Sequence, residues 1–229
     1  MKSVIFDLDN TLYSYDRAHE KAYAELQRFV ERELRLAPAE FNRLHAEAHR
    51  ILKRRCGNNA AVHNRLIRYQ IILELIGKPI FIAPEMANLY WHTFLGAMEL
   101  EPDAVQTLQT LRTMGLRIGI GTNMTADCQF EKLRLLGLTP YVDFLVTSEE
   151  AAVEKPDARL FALCAEKSGA APGECCFVGD SLEKDALAAK NAGMTGIWYC
   201  PGGSDRGAEG IRVIRGFSEL TALLQTLCG

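Results

Sequence analysis

Short apolar runs alternate with amphipathic stretches over most of the chain, and one long block interrupts the alternation. The first run, Val4 to Phe6, has the length of a buried strand and ends at an acidic residue. Further strand-like runs follow at Leu116 to Ile120, Phe144 to Val146, Cys176 to Val178, Gly196 to Tyr199 and Ile211 to Ile214. Stretches with helical spacing separate most of them. Repeated strand and helix units predict a doubly wound, parallel-sheet, Rossmann-like α/β core.

Residues 14–100 follow a different pattern, in which apolar residues recur at helical spacing with no strand signal between them. Leu26, Phe29 and Val30 form one such group, and turns rich in Pro and Gly divide the block into four helices. We therefore expect an all-helical cap domain over residues 14–100, inserted into a core formed by residues 1–13 and 101–229. An insertion at this point is well placed to act as a lid and to select the substrate.

The composition favours catalysis on a small molecule over nucleic-acid binding or membrane insertion. The net charge is -3, so the balance of acidic and basic residues does not indicate nucleic-acid binding. No apolar run approaches the ~18 residues that would span a membrane, and the amino terminus reaches Asp7 too soon to form a signal peptide. We expect a soluble, cytoplasmic protein that is a monomer or a homodimer.

The cysteines and histidines contain no familiar metal motif. The chain has 7 cysteines without a CxxC pair, so we expect reduced thiols that mostly fill space as small apolar residues. His45 and His49 are four apart, but the order His-Ala-Glu-Ala-His is not that of a zinc protease. We therefore expect His45 and His49 to lie on a solvent-exposed face of a helix.

The helical block is mildly basic, and several of its basic residues are grouped: Arg50, Lys53, Arg54, Arg55, Arg65 and Arg68. Two interpretations stay open, a solvated basic face and a region that attracts an anionic substrate. Candidates to line a substrate cleft are Tyr13, Tyr15, Arg17, Tyr90 and Trp91. Aromatic core packing explains the last two at least as well.

Four polar clusters, three of which directly follow an apolar run, carry the candidate chemistry. They are Asp7 with Asp9, Thr122 with Asn123, Lys155 before Pro156, and Asp180 with Asp185 behind it. Because the carboxyl ends of parallel strands meet at one edge of a sheet, we expect these side chains to converge on one ligand. Several carboxylates, one lysine and one hydroxyl suit a divalent cation and a phosphoryl group.

Asp7 and Asp9 are close enough in sequence to act together in separate roles. One carboxylate can attack phosphorus and form an aspartyl-phosphate, while the other donates a proton to the leaving oxygen and later activates water. Lys155 can neutralise the shared negative charge, and Thr122 and Asn123 can bond phosphoryl oxygens. Each signal also has an ordinary structural explanation, namely a turn aspartate, a surface lysine or a helix cap.

The same clusters suggest a magnesium site. Asp7, Asp180 and the backbone carbonyl of Asp9 would leave positions for water and phosphate, as Mg²⁺ prefers. Asp185 lies one turn beyond Asp180 and is expected to hold a metal-bound water rather than the ion itself. Mg²⁺ is therefore the expected cofactor.

Taken together, these segments resemble the motifs of the haloacid dehalogenase superfamily of hydrolases, in the subclass with an α-helical cap after the first motif. The resemblance rests on residues 6–12, 122–123, 148–157 and 178–185, and it covers essentially the whole core. It implies that Asp7 is nucleophile and metal ligand and that Asp9 is the general acid and base. It also implies that Thr122 and Lys155 stabilise the phosphoryl group and that Asp180 is a metal ligand.

Within that superfamily the second acid separates the reactions. Dehalogenases need no proton for the leaving group and have no aspartate at that position, so Asp9 favours phosphate esters. We expect Mg²⁺-dependent hydrolysis of a small phosphorylated metabolite, such as a sugar phosphate, a nucleotide or a phosphoglycolate-like acid. A sugar phosphomutase, which keeps both acids, stays an alternative. A receiver-like phospho-acceptor domain is a distant one, because such domains are about half this length and have no helical insertion.

Overall fold

The structure is a computed structural model that describes residues 1–203 and 210–228, without the side chains of residues 227 and 228. The chain divides into two compact units, one formed by residues 1–14 and 100–229 and the other by residues 15–99. None of the described cysteine side chains forms a disulfide bond, and Cys164, Cys175 and Cys176 are buried. The expectation for Cys228 falls on a side chain outside the described part.

The second unit is entirely helical. Its four α-helices are α1 (Tyr15–Leu34), α2 (Pro38–Cys56), α3 (Arg65–Leu75) and α4 (Ala83–Gly96), with 3₁₀ turns at Ala60–His63 and Ile80–Ile82. In α1 the buried residues Ala18, Ala22 and Leu26 repeat every four positions, as one face of a helix requires. The Asn64 side chain begins α3 by accepting a hydrogen bond from the Ile67 amide at 3.1 Å.

His45 and His49 do not lie on a solvated helix face, so that expectation was wrong. His49 Nδ1 lies 2.8 Å from Nη2 of Arg68 on α3. The His45 ring packs edge-on against Tyr23 of α1 and tilted against Tyr69 of α3, at centroid distances of 5.1 and 6.3 Å. Both histidines are half-buried because α1 and α3 pack against this side of α2.

The group of basic residues in this unit also divides in two. Arg50, Lys53, Arg54 and Arg55 are exposed on α2, whereas Arg65 and Arg68 on α3 are buried. A solvated face therefore describes the first four and not the last two. Tyr90, a candidate for the cleft, is also fully buried.

The first unit is built on a six-stranded, fully parallel sheet in the order β3-β2-β1-β4-β5-β6. The strands are β1 (Ser3–Phe6), β2 (Arg117–Thr122), β3 (Phe144–Thr147), β4 (Cys175–Gly179), β5 (Thr195–Tyr199) and β6 (Arg212–Ile214). Every residue of β1 and β4 is buried, as expected for central strands covered on both faces. The predicted doubly wound α/β fold is confirmed.

Helices connect most of these strands in the repeating order that the sequence predicts. They are α5 (Ala104–Thr113), α6 (Ala126–Leu135), α7 (Ser148–Ala151), α8 (Ala158–Ser168), α9 (Ala188–Asn191) and α10 (Phe217–Cys228). The Phe161 ring of α8 packs edge-on against Phe177 of β4 at 5.0 Å, which ties this helix to the centre of the sheet. Across residues 1–203 and 210–228, no helix combines the length and the apolar character needed to cross a membrane.

The segment after β4 does not form a single continuous α-helix. Leu182–Leu187 forms a π-helical turn, in which the Ala186 amide donates to the Ser181 carbonyl at 3.3 Å, and α9 follows it. The Asp185 carboxylate folds back and accepts a hydrogen bond from the Ser181 amide at 3.0 Å. A Cβ atom on Gly179 would overlap that carboxylate, so glycine is required where Asp185 approaches the strand. The wider turn thus brings Asp185 to the end of β4.

Candidate active site

The candidate residues lie at the carboxyl ends of the central strands. Asp7 follows β1 and Asp180 follows β4, while Thr122 is the last residue of β2. Strand β1 lies between β2 and β4, where the direction of winding reverses. Open parallel sheets bind ligands at this kind of crevice.

An acidic cluster with one lysine occupies this edge. Asp7, Asp180 and Asp185 each place a carboxylate oxygen within 4.8 Å of the other two. The Lys155 ammonium lies 2.7 Å from Asp7 Oδ1 and 2.7 Å from Asp185 Oδ1. Asp185, expected further out as the holder of a water, is therefore a direct member of the cluster. The spacing of Asp185 from Asp180 already suggested that the two acids are close. The π-turn that folds Asp185 toward the cluster was not predicted.

Backbone hydrogen bonds fix the two loops that carry the acids. The Asp7 amide donates to the Val178 carbonyl at 2.8 Å, so the first loop leaves β1 still paired with β4. The Asp180 amide donates to Thr11 Oγ1 at 3.1 Å, and the Trp198 indole donates to the Asp180 carbonyl at 2.8 Å. The two acidic loops are thus joined to one another as well as to the sheet.

Burial and mutual repulsion act on the acids of this cluster. Burial raises the pKa of Asp7 to about 7, helped by Asp185 and Asp180 and opposed by Lys155. Burial and the Asp185 carboxylate raise the pKa of Asp180 to about 6. Burial alone would lower the pKa of Lys155, but Asp185 and Asp7 outweigh it and raise that pKa. The cluster therefore has more negative charge than its lysine can offset.

This donor set fits a magnesium ion. All three acidic side chains offer carboxylate oxygens, the hard ligands that Mg²⁺ binds, and no soft ligand is among them. With all groups ionised, three carboxylates and one ammonium leave an excess of negative charge that a divalent cation balances.

Asp9 has a different setting from Asp7. Its Oδ1 accepts a 2.5 Å hydrogen bond from the Tyr13 hydroxyl. The Lys132 ammonium on α6 lies 2.8 and 3.0 Å from the two Asp9 carboxylate oxygens. Lys132 is fully buried, whereas a quarter of the Asp9 side chain is exposed. The two acids of the first loop are thus paired with two different lysines.

Thr122 and Asn123 have protein partners at the end of β2. Thr122 Oγ1 accepts a hydrogen bond from the Gln129 amide group at 2.8 Å. Asn123 Oδ1 accepts one from the Lys155 backbone amide at 2.8 Å, which fixes the loop that carries Lys155. Asn123 therefore helps to position Lys155.

Sequence reasoning missed Lys132 and Gln129. Both face inward from α6 together with Leu133, whereas the apolar residues Phe130 and Leu135 of the same helix are exposed. A helix whose polar residues at spacing i, i+3 face the sheet is the reverse of the usual amphipathic pattern. This inverted pattern would have identified the two residues. Recognising it requires knowing which face of α6 packs against the sheet.

Comparisons with known proteins match the chain to one family of hydrolases. A profile for haloacid dehalogenase-like hydrolases matches residues 1–193. The ribulose-1,5-bisphosphate 5-phosphatase of Halopiger xanaduensis is 37% identical over 202 residues, which cover 87% of this chain and 84% of the relative. The glyceraldehyde 3-phosphate phosphatase of Methanopyrus kandleri is 33% identical over 201 residues, covering 86% and 83%.

A solved structure extends the similarity to the fold of the whole chain. The crystal structure of a 2-haloacid dehalogenase from Pseudomonas syringae superposes with a TM-score of 0.80 at 27% sequence identity. The superposition covers 99% of both chains.

Proposed function

This chain belongs to the haloacid dehalogenase-like hydrolases, and on that premise we propose that it hydrolyses the terminal phosphoester of a small sugar phosphate. The superfamily and the hydrolase class inferred from the motifs are confirmed. A receiver-like signalling role is set aside, because the hydrolase profile matches residues 1–193 and not a domain of half that length. The choice of phosphate ester, the residue roles and Mg²⁺ are parts of the proposal.

One observation carries the proposal. Asp7 is buried beside Lys155 in a cluster with Asp180 and Asp185, an arrangement that suits attack on a phosphoryl group by a carboxylate. Asp7, Asp180 and the backbone carbonyl of Asp9 would hold Mg²⁺, with Asp185 beside them. When bound, the ion supplies charge neutralisation for the phosphoryl oxygens and the acids around them.

In the first half of the reaction, a carboxylate oxygen of Asp7 forms a bond to phosphorus and the bond from phosphorus to the sugar oxygen breaks. Asp9 in its protonated form gives its proton to the departing oxygen. Lys155 and the Thr122 hydroxyl stabilise charge on the phosphoryl oxygens. The products of this half are the free sugar alcohol and an aspartyl-phosphate on Asp7.

In the second half, the Asp9 carboxylate takes a proton from a water molecule that attacks the same phosphorus. The bond between phosphorus and the Asp7 oxygen breaks, inorganic phosphate leaves, and both acids return to their starting states. Tyr13 and Lys132 hold the Asp9 carboxylate for both proton transfers. A halide needs no such proton, so the presence of Asp9 supports a phosphatase over a dehalogenase.

The relatives' names support a sugar phosphate as the substrate. Ribulose 1,5-bisphosphate cleaved at position 5 and glyceraldehyde 3-phosphate both carry the reacting phosphate on a terminal carbon of a short sugar. We infer that this chain accepts the same kind of phosphoester, with the helical unit selecting among such sugars. Nucleotides and phosphoglycolate-like acids are less well supported.

Phosphate release from a panel of sugar phosphates tests the proposal. Wild-type protein in Mg²⁺ should release inorganic phosphate from at least one terminal sugar phosphate, and EDTA should abolish the release. Chloride release from 2-chloropropionate is the control for dehalogenation and should be absent. An isomerised sugar phosphate in place of free phosphate would identify a phosphomutase and overturn the proposal.

A further inference from the structure

Gln129 on α6 is a fully buried polar side chain that contacts a candidate catalytic group. Strand β2 ends at Thr122 and α6 begins at Ala126, so the chain returns to the end of the strand within the first turn of the helix. Gln129 Nε2 lies 2.8 Å from Thr122 Oγ1 and 3.4 Å from the Asn123 carbonyl oxygen. The exposed fractions of Gln129 and Thr122 are 0% and 1%, so solvent does not compete for the hydrogen bond between them.

The contacts of Gln129 identify which end of its amide faces Thr122. The same amide atom contacts both the Thr122 hydroxyl and the Asn123 carbonyl. A carbonyl oxygen only accepts hydrogen bonds, so its neighbour at this distance is the NH₂ group. The opposite orientation would place two carbonyl oxygens against each other and would bury an NH₂ group without an acceptor. Gln129 therefore donates and Thr122 Oγ1 accepts.

This hydrogen bond limits the direction of the Thr122 hydroxyl proton. A hydroxyl has one proton and two lone pairs, and Gln129 occupies one of the lone pairs. The proton must therefore point away from Gln129. Among the described residues its acceptor is the Asn123 carbonyl at 3.4 Å, which is longer than the distance of about 2.5–3.0 Å usual for such bonds. A proton held this weakly is available to a phosphoryl oxygen bound at the end of β2.

The other end of the Gln129 amide lowers the stability of the fold. Its Oε1 atom is buried and has no hydrogen-bond partner among the described residues. An unpaired buried acceptor is destabilising, whereas an apolar side chain of similar length would fill the same space without that cost. Packing alone therefore does not account for a glutamine at this position, and its contact with the Thr122 hydroxyl does.

We propose that Gln129 is a positioning residue that orients the Thr122 hydroxyl as a hydrogen-bond donor to the reacting phosphoryl group. The proposal rests on the proposed function and deepens it, because it assigns the direction of one hydrogen bond in the active site. Gln129 acts through Thr122 and does not itself contact the reacting atoms. Lys132, three residues further along α6, contacts Asp9 instead, so one helix face supports two candidate catalytic groups.

A double-mutant cycle between the two residues tests the proposal. Gln129→Met keeps most of the side-chain volume and removes the donor, and Thr122→Val removes the hydroxyl. Gln129→Met should lower kcat for a sugar phosphate by roughly 3- to 10-fold, the usual worth of one neutral hydrogen bond, and should leave KM within about twofold. Thr122→Val should lower kcat by about 10²–10³-fold. Adding Gln129→Met to Thr122→Val should cause no further loss, because the hydroxyl that Gln129 orients is then absent.

Gln109→Met is the control, because Gln109 on α5 also donates its amide to a hydroxyl, that of Tyr141, at an exposed position. It should leave kcat and KM unchanged. The urea midpoint of Gln129→Met should equal or exceed that of the wild type, because the unpaired Oε1 is removed. Wild-type kcat in Gln129→Met, or an equal loss with and without the Thr122 hydroxyl, would overturn the proposal. Gln129→Leu takes the place of Gln129→Met in the cycle if the methionine variant does not fold.

Phosphate binding separates this role from the proposed reaction. Inorganic phosphate is titrated calorimetrically, in Mg²⁺, into the four proteins of the cycle. Gln129→Met should weaken binding by roughly 3- to 10-fold when Thr122 is present and should have no effect in Thr122→Val. If no sugar phosphate is hydrolysed but phosphate binding follows this pattern, the proposed function fails and the positioning role stands. Where no hydrolysis is found, absent binding or equal binding by wild type and Gln129→Met overturns the positioning role as well.

Discussion

Replacing Lys155 by methionine probes the cluster at the centre of the candidate active site. The substitution keeps most of the side-chain volume and removes the ammonium that lies 2.7 Å from both Asp7 and Asp185. All three side chains are nearly inaccessible to solvent, so water cannot take the place of the lost cation. The effect should therefore appear in stability as well as in catalysis.

The size of the effect follows from the geometry. At 2.7 Å and an effective dielectric constant of about 20, each contact has a gross attraction of roughly 6 kcal/mol, most of which is offset by the cost of burial. Breaking a buried ion pair by removing one partner typically costs about 3–5 kcal/mol. Domains of this kind are stable by about 5–15 kcal/mol, so the variant should fold with little stability to spare. Mg²⁺ should restore part of the loss, because it returns positive charge to the acids.

Urea unfolding in EDTA and in Mg²⁺ measures both effects. Lys155→Met should lose about 3–5 kcal/mol in EDTA, and Mg²⁺ should stabilise it more than it stabilises the wild type. Phosphatase activity should fall by about 10²–10³-fold, the usual effect of removing one group that stabilises transition-state charge. Lys2→Met is the control, since Lys2 forms an exposed ion pair with Glu174. Wild-type stability of Lys155→Met in EDTA would refute this reasoning.

Three further predictions concern single residues. Gly179→Ala should place its Cβ against the Asp185 carboxylate, which costs about 1–3 kcal/mol and lowers kcat; a variant with wild-type melting temperature and kcat would contradict this. Burial, helped by Arg68 and Arg65, lowers the pKa of His45 to about 3 in the folded protein from its ordinary value of about 6.5, so the unfolded state binds more protons and stability falls as pH drops below about 6.5. His45→Gln should therefore recover about 2 kcal/mol of that loss at pH 5 in urea titrations, and an unchanged pH dependence would count against it. Asp9→Asn should slow turnover by about 10²–10⁴-fold while still binding substrate, and wild-type kcat would exclude a role in proton transfer.

The arrangement of the sheet was accessible from the sequence because it depends on local patterns. Each apolar run is short, most are followed by a helix, and parallel strands with helical connections have few possible arrangements. The convergence of Asp7 and Asp180 then follows from chain direction alone, since the carboxyl ends of parallel strands share an edge. Their roles in catalysis stay predictions.

Contacts between distant segments were not accessible in this way. Lys132 pairs with Asp9 across 123 positions, and its inward direction depends on which face of α6 meets the sheet. Arg65 and Arg68 belong to a basic stretch that resembles a solvated surface, and only the packing of α3 shows that they are buried. Asp185 joins the acidic cluster through a π-turn, for which the sequence pattern gives no clear signal.

The central claim is that Asp7 carries the phosphoryl group during turnover. Rapid acid quenching of wild-type protein with a sugar phosphate radiolabelled at its terminal phosphate, followed by peptide mapping, tests it directly. The account predicts a label that hydroxylamine removes, located on the peptide that contains Asp7, and no label or turnover in Asp7→Asn. Wild-type turnover by Asp7→Asn, or a label on any other residue, would contradict it.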